Sequence, residues 1–376
     1  MNAGAAAPVQ LAEVECRCSD LEATLAFLTG RGGFRIEQIM PADAPSSAVV
    51  SVSGLRLHLQ QDRAAAQHLE PLSIRLRCAE ADLPPAADRV LVGPDRLRLS
   101  WVPQFEPLRV PAASKVFQLG RGSDLAAWVV GRAGMQYRDL LPGRLGGAFI
   151  ASEIRIPDGG PVPDYVHFHR VRFQMIYCKS GWVRVVYEDQ GEPFVLSAGD
   201  CVLQPPTIRH RVLDASPGLE AIEVGCPAVH ATYADHSIAL PTERIDAERR
   251  FEGQRFVRHM AAAAPWRALA NGAFEAQDFG IAAATDGLAQ VRALRVAAGH
   301  GVATPAGLTL RHQGDFLFLY LLEGSARLQA AASGSASEPV VETLYRDDCC
   351  VLPAGQDWQL QADPDLRLLE VRVAKA

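Results

Sequence analysis

Residues 165–214 read YVHFHRVRFQMIYCKSGWVRVVYEDQGEPFVLSAGDCVLQPPTIRHRVLD. His167 and His169 stand two apart, and in an extended strand that spacing turns both imidazoles to one face. Gln174 follows, then Gly181. Gly199-Asp200 opens a further strand, Pro205-Pro206 closes it, and His210 comes shortly after. Neutral imidazole is the commonest metal ligand among side chains. Three imidazoles and the amide oxygen of Gln174, converging inside a barrel, would hold one divalent transition metal and leave positions open for substrate.

The order of these residues resembles the cupin superfamily. Its first motif is histidine, any residue, histidine, four residues, glutamate, six residues, glycine. Its second is glycine, five residues, proline, any residue, glycine, two residues, histidine. His167, His169, Gly181, Gly199, Pro205 and His210 fit that spacing. Gln174 stands where glutamate is usual, and Thr207 replaces a glycine. The resemblance implies a double-stranded β-helix, or jelly-roll, barrel with His167, His169, Gln174 and His210 as metal ligands. Iron(II) is the expected ion, with nickel, zinc and manganese as alternatives.

Working outward, short strand-like runs alternate with turn residues on both sides of this stretch, as in a sandwich or barrel. After an arginine-rich segment, 241–267, read as a linker with helical character, the pattern returns. LRHQGDFLFLYLLEG aligns with VHFHRVRFQMIYCKSG when Gly324 is set on Gly181, and DDCCVLPAGQDWQL aligns with GDCVLQPPTIRHRV. The chain therefore reads as a bicupin: barrel 1 over 108–240 and barrel 2 over 241–376. Barrel 2 keeps only His312. Leu310, Leu317 and Trp358 take the other ligand places, and a structural barrel filled by Leu310, Leu317, Phe318 and Trp358 is expected.

Residues 1–107 read as an α+β module. A strand at 10–18 precedes SDLEATLAFLTGRGGFRIE, where Ser19 or Asp20 caps a helix and Gly30, Gly32 and Gly33 end it. Three further strands follow. This βαβββ order resembles part of one module of the glyoxalase and extradiol-dioxygenase (vicinal oxygen chelate) superfamily. Glu13, His58 and Gln60 fall at or near that family's ligand places, too few for a metal site. A packing or dimerisation role is expected.

Net charge is −6, from 37 basic and 43 acidic residues, which argues against nucleic acid as a partner. No run of 18 apolar residues offers a membrane span. The N-terminal alanines lack a basic leader, and the eight scattered cysteines form no CxxC pair, so a reducing, cytoplasmic setting is expected. The expected partner is a small-molecule substrate, and the expected assembly a homo-oligomer, a dimer. No catalytic residue is identified. Asp214 and Glu153 are the carboxylates within reach of a base role, while Ile176, Cys178 and Val212 are candidate lining. Arg170 and Arg172 alternate against the histidines and read as solvent-facing or interface residues.

A metal with neutral ligands keeps its full charge and favours an anionic chelating substrate such as an enolate, a β-diketonate or a hydroxy acid. The expected activity is an iron(II) dioxygenase. A non-oxidative isomerase or lyase using nickel, zinc or manganese is one alternative, and a non-catalytic small-molecule-binding bicupin is the other.

Overall fold

The computed structural model describes residues 12–41, 45–62, 71–105, 107–330 and 340–375. The N-terminal alanines lie outside them. The chain divides into two compact units, Met1–Pro107 and Leu108–Ala376.

In the first unit, the strand Val14–Cys18 leads into the helix Leu21–Arg31, and the strands Arg35–Met40, Ser47–Val52 and Leu55–Gln61 follow. Asp20 caps the helix by accepting from the Ala23 N–H at 3.0 Å. Leu21 and Leu28 bury one helix face against Leu57 and Leu59 of the sheet. Val14–Cys18 runs parallel beside Leu55–Gln61, so the first and last strands are neighbours. A three-stranded sheet repeats that arrangement in reduced form. Ser73–Cys78 runs parallel to Arg98–Pro103, with Val90–Val92 antiparallel at the edge, and short 3₁₀ turns replace the helix. Glu13 is paired with Arg56 at 2.9 Å. No metal-ligating cluster forms in this unit among the described residues.

The second unit is mainly β. One seven-stranded sheet runs, in spatial order, Val257–His259, Cys201–Leu203, Phe173–Ser180, Leu219–Cys226, Ile150–Ile156, Gln136–Asp139 and Val129–Val130. It faces a sheet of Phe194–Ser197, Trp182–Tyr187, His210–Ala215, His167–His169 and Thr232–Ala234. These two sheets enclose barrel 1. Barrel 2 pairs the same way. A seven-stranded sheet containing Phe316–Glu323 and Arg367–Val373 faces a four-stranded one of Ala306–Leu310, Trp358–Ala362, Ser325–Ala330 and Val341–Tyr345.

Both seven-stranded sheets are buried on both faces. Phe173, Met175 and Tyr177 of one meet Phe316, Phe318 and Tyr320 of the other in a shared core, while the residues between them point into the barrels. Phe318 is thus placed between the barrels and not inside barrel 2 as expected, because it alternates with Leu317. Leu310, Leu317 and Trp358 do fill barrel 2.

Two strands cross the expected boundary at 240/241. Gln118–Gly120, from the segment assigned to barrel 1, pairs with Cys349–Val351 of barrel 2. Val257–His259, from the segment read as a linker, pairs with Cys201–Leu203 of barrel 1. That segment contains no helix. Arg249 and Arg250 are held by Glu188, Asp189 and Asp286 on its flanks, and its backbone is extended.

Candidate metal centre

The three histidines meet inside barrel 1. His167 and His210 are direct cross-strand partners, which brings their rings to 4.2 Å between centroids. His169, two residues along the same face, stands 5.2 Å from His167 and 5.3 Å from His210. One ring nitrogen from each lies within 4.8 Å of those of the other two.

The backbone fixes the tautomers. The Tyr165 carbonyl lies 2.8 Å from His167 Nδ1, and the Ile208 carbonyl 3.0 Å from His210 Nδ1. A carbonyl only accepts, so both Nδ1 atoms carry the proton and both Nε2 atoms carry a lone pair. Thr232 Oγ1 lies 3.3 Å from His169 Nδ1. His167 Nε2 is buried without a hydrogen-bond partner, a position a metal ion would satisfy. Burial holds His169 and His210 well below the ordinary histidine pKa, and the neighbouring imidazoles lower it further. All three rings therefore stay neutral, as ligands must.

Gln174 lines the same cavity. Its Nε2 donates to Glu223 Oε1 at 2.6 Å, which orients the amide and leaves Oε1 as the free acceptor. The second motif's departure also has a local account. Thr207 adopts φ +67°, the left-handed region where glycine is the usual residue, and its N–H donates to the His169 carbonyl at 2.8 Å. Gly181, with φ +71°, has no room for a side chain, since a Cβ would lie 2.3 Å from Ser216 Oγ.

The cavity measures about 390 Å³. Ile176 and Val212 line it as expected, and so do Ile150, Ser152, Ile154 and Ile156. Cys178 belongs to the apolar packing of the same barrel interior. Neither carboxylate considered for a base role reaches the site. Glu153 points the other way, fully buried between the barrels and bound to Arg138, Lys179 and Tyr320. Asp214 caps the Ala215 N–H and is not among the lining residues. Arg172 bridges to barrel 2 through Asp315 at 3.2 Å, and Arg170 lies 3.9 Å from Glu252.

Sequence reasoning missed Glu223, Tyr137, Arg132, Arg144 and His230, all of which line the cavity. His230 stands edge-on to His169 with ring centroids 5.2 Å apart. Burial pushes the Tyr137 hydroxyl up to about 12, so it is a phenol at neutral pH. Arg132 is paired with Asp164, which also accepts from the Val212 N–H, tying the cavity edge to the histidine strand. In barrel 2, Leu310 faces Trp358 in the register that His167 and His210 share. His312 spends Nε2 on the Leu352 carbonyl at 2.8 Å.

Residues 152–223 match the family described as a cupin domain. No curated protein matches the chain. Among solved structures, the oxalate decarboxylase of Lactobacillus farciminis in complex with formate is similar, at 14% identity and TM-score 0.51, over 68% of this chain and 86% of that one. A Bacillus subtilis oxalate decarboxylase studied for its Mn(II) centres gives 13% identity and TM-score 0.49, over 72% and 78%. Protein Ylba from E. coli gives 13% and 0.48, over 72% and 94%. These likenesses are ones of fold, and the family match does not extend to residues 1–107. The motif, the strand order and the family match fall on the same residues, and 152–223 form a cupin domain.

Proposed function

We propose that barrel 1 is the active site of a metal-dependent enzyme acting on a small chelating substrate without dioxygen, as a lyase or isomerase. The observation that carries this reading is the set of three converging imidazoles, two of them with tautomers fixed by backbone carbonyls, beside a cavity that also holds a carboxylate. A divalent ion bound there would polarise substrate oxygens as a Lewis acid.

The chain's own residues supply the rest. Glu223 is held at one oxygen by the Gln174 amide, at 2.6 Å, and its other oxygen lies 3.4 Å from Ser152 Oγ. Asp139, the other carboxylate lining the cavity, is occupied by Arg144 through two hydrogen bonds. Glu223 is therefore the group positioned to take up and return a substrate proton. The Tyr137 phenol is available as a hydrogen-bond donor to developing negative charge.

The iron dioxygenase reading has no separate support. Three imidazoles and an amide serve manganese, nickel, zinc and iron alike. The Lactobacillus farciminis structure of the same fold is a decarboxylase, which supports a lyase over an oxygenase. The test is elemental analysis together with turnover of 2-oxo acids, 2-hydroxy acids and 1,3-diketones, with and without air. About one metal per chain is expected from a single three-histidine site. It should be lost in His167→Ala and His210→Ala and kept in His312→Ala, with equal turnover in both atmospheres. Oxygen uptake matching product would return the assignment to a dioxygenase. Absence of turnover by the metal-loaded protein would leave the binding-only reading.

A further inference from the structure

The cavity changes character along the barrel axis, and the strand registers show how. Gln174 stands opposite Gly225, which stands opposite Ile150; the facing sheet supplies His167, His210 and Tyr187 at this level. Residues two apart on a strand share a face. One step on, Ile176 stands opposite Glu223, which stands opposite Ser152. Another step brings Ala221 opposite Ile154, and the last brings Leu219 opposite Ile156. In the facing sheet, Val185 pairs with Val212 and Val183 with Leu196. All of these residues except Gly225 and His167 line the one cavity. On these strands the polar groups gather in the first two levels, around the histidines and Glu223, while the adjoining strand adds Tyr137 opposite Ile154. Beyond them, on these strands, the walls are aliphatic.

Each two-residue step spans roughly 6.5–7 Å, so the apolar part is roughly 7–13 Å long. At about 390 Å³ the cavity falls in the range of sites that enclose a whole small molecule and line it mostly with apolar groups. A two-carbon dianion would reach only the histidine level. It would also leave the aliphatic walls beyond that level without apolar contact.

We propose that the substrate is a chelating acid or enolate with an apolar body. Its oxygen-bearing head sits at His167, His169 and His210, and its hydrocarbon part lies along Ala221, Leu219 and Ile156. The inference rests on the reading of this cavity as the substrate site and assigns the substrate class for that reading. A bare dicarboxylate of oxalate size does not belong to the class.

The test is binding, read by titration calorimetry on the full chain loaded with zinc, which does no redox chemistry. The probes are straight-chain 2-oxo acids of increasing length, with oxalate for comparison. Affinity is expected to rise about fourfold for each methylene that enters the apolar part, the transfer value of a buried CH₂. The gain should stop once the body fills the last level. Ala221→Phe places a ring in the apolar part. It should remove the dependence on chain length and leave metal content unchanged. Leu219→Gln gives the same reading with little change in volume, should the larger side chain prevent folding. Affinity that is flat across the series, or oxalate binding tighter than every longer acid, would overturn the proposal. The two readings fail separately. A length dependence without turnover by any metal form sinks the enzyme reading, whereas turnover without length dependence sinks the substrate class alone.

Discussion

Gln174 takes on a different meaning once Glu223 is seen beside it. From the sequence, the glutamine reads as a ligand that leaves the metal's charge undiminished. In the structure its amide N–H also binds a carboxylate at 2.6 Å. Gln174→Glu would set two carboxyl groups against each other at that separation, and like charges so close raise the pKa of one of them. The added acid then ionises only as the pH rises. Metal retention by Gln174→Glu is therefore expected to increase with pH across the neutral range. In the double variant Gln174→Glu/Glu223→Gln the donor and acceptor are exchanged, and retention should be tight and nearly independent of pH. Competition against a metallochromic chelator at several pH values measures both. A flat profile for the single variant would show that the two side chains do not share a proton.

The strand is the scale at which the sequence misleads. In Leu219–Cys226, LEAIEVGC, the apolar face of Ile222 and Val224 looks like the barrel interior and Glu223 like solvent. The reverse holds, because this sheet is covered on both faces. Ile222 and Val224 pack between the barrels, and Glu223 points into the cavity. The same two-sided burial explains the error over Glu153. Its face meets barrel 2, where Lys179 lies 2.9 Å from Glu153 and 2.7 Å from Asp347, and Tyr320 donates to both carboxylates. Burial alone would raise the pKa of Glu153. Lys179, Tyr320 and Arg138 outweigh it, and the net shift is downward. A depressed carboxylate stabilises the fold above its unfolded pKa of about 4.3, and the contribution is lost as pH falls through the lower folded value. Lys179→Met should cost about 3 kcal/mol at neutral pH by leaving buried carboxylates uncompensated. The gap from wild type should narrow toward pH 4, where protonation relieves them. Thermal unfolding at pH 7 and pH 4.5 measures the change, and an equal gap at both would remove the network from the account.

At the scale of the molecule, one barrel is hollow and the other is filled. At the ligand places, His167, Gln174 and His210 in one stand against the core residues Leu310, Leu317 and Trp358 in the other. The barrels also trade edge strands, so neither is complete when the chain is cut between them. The unit Met1–Pro107 is a separate case, because every residue lining the barrel 1 cavity lies between Arg132 and Thr232. A chain beginning at residue 108 is expected to keep the wild-type metal content, with any loss falling on solubility or assembly. Elemental analysis beside the soluble yield separates these. Loss of the metal from a soluble, folded truncation would show that the first unit helps to form the centre.

The meeting of the three histidines was legible in the sequence because it depends on local spacing. Two histidines on one strand face, and a third placed by a turn of fixed length, need no knowledge of the rest of the chain. The duplication was legible for the same reason, since it is a pattern compared with itself. The neighbours of those histidines were not. Glu223 and Tyr137 lie on strands that reach the cavity through sheet order, and period-two patterning cannot say which face is inside when both are buried. The exchanged edge strands escaped for a related reason. Gln118–Gly120 and Val257–His259 are three residues each, too short to show a pattern, and their place is set by the strand edge left open for them. Side-chain spacing along the chain determined which histidines meet, and only the packing of two sheets against two others decided what surrounds them.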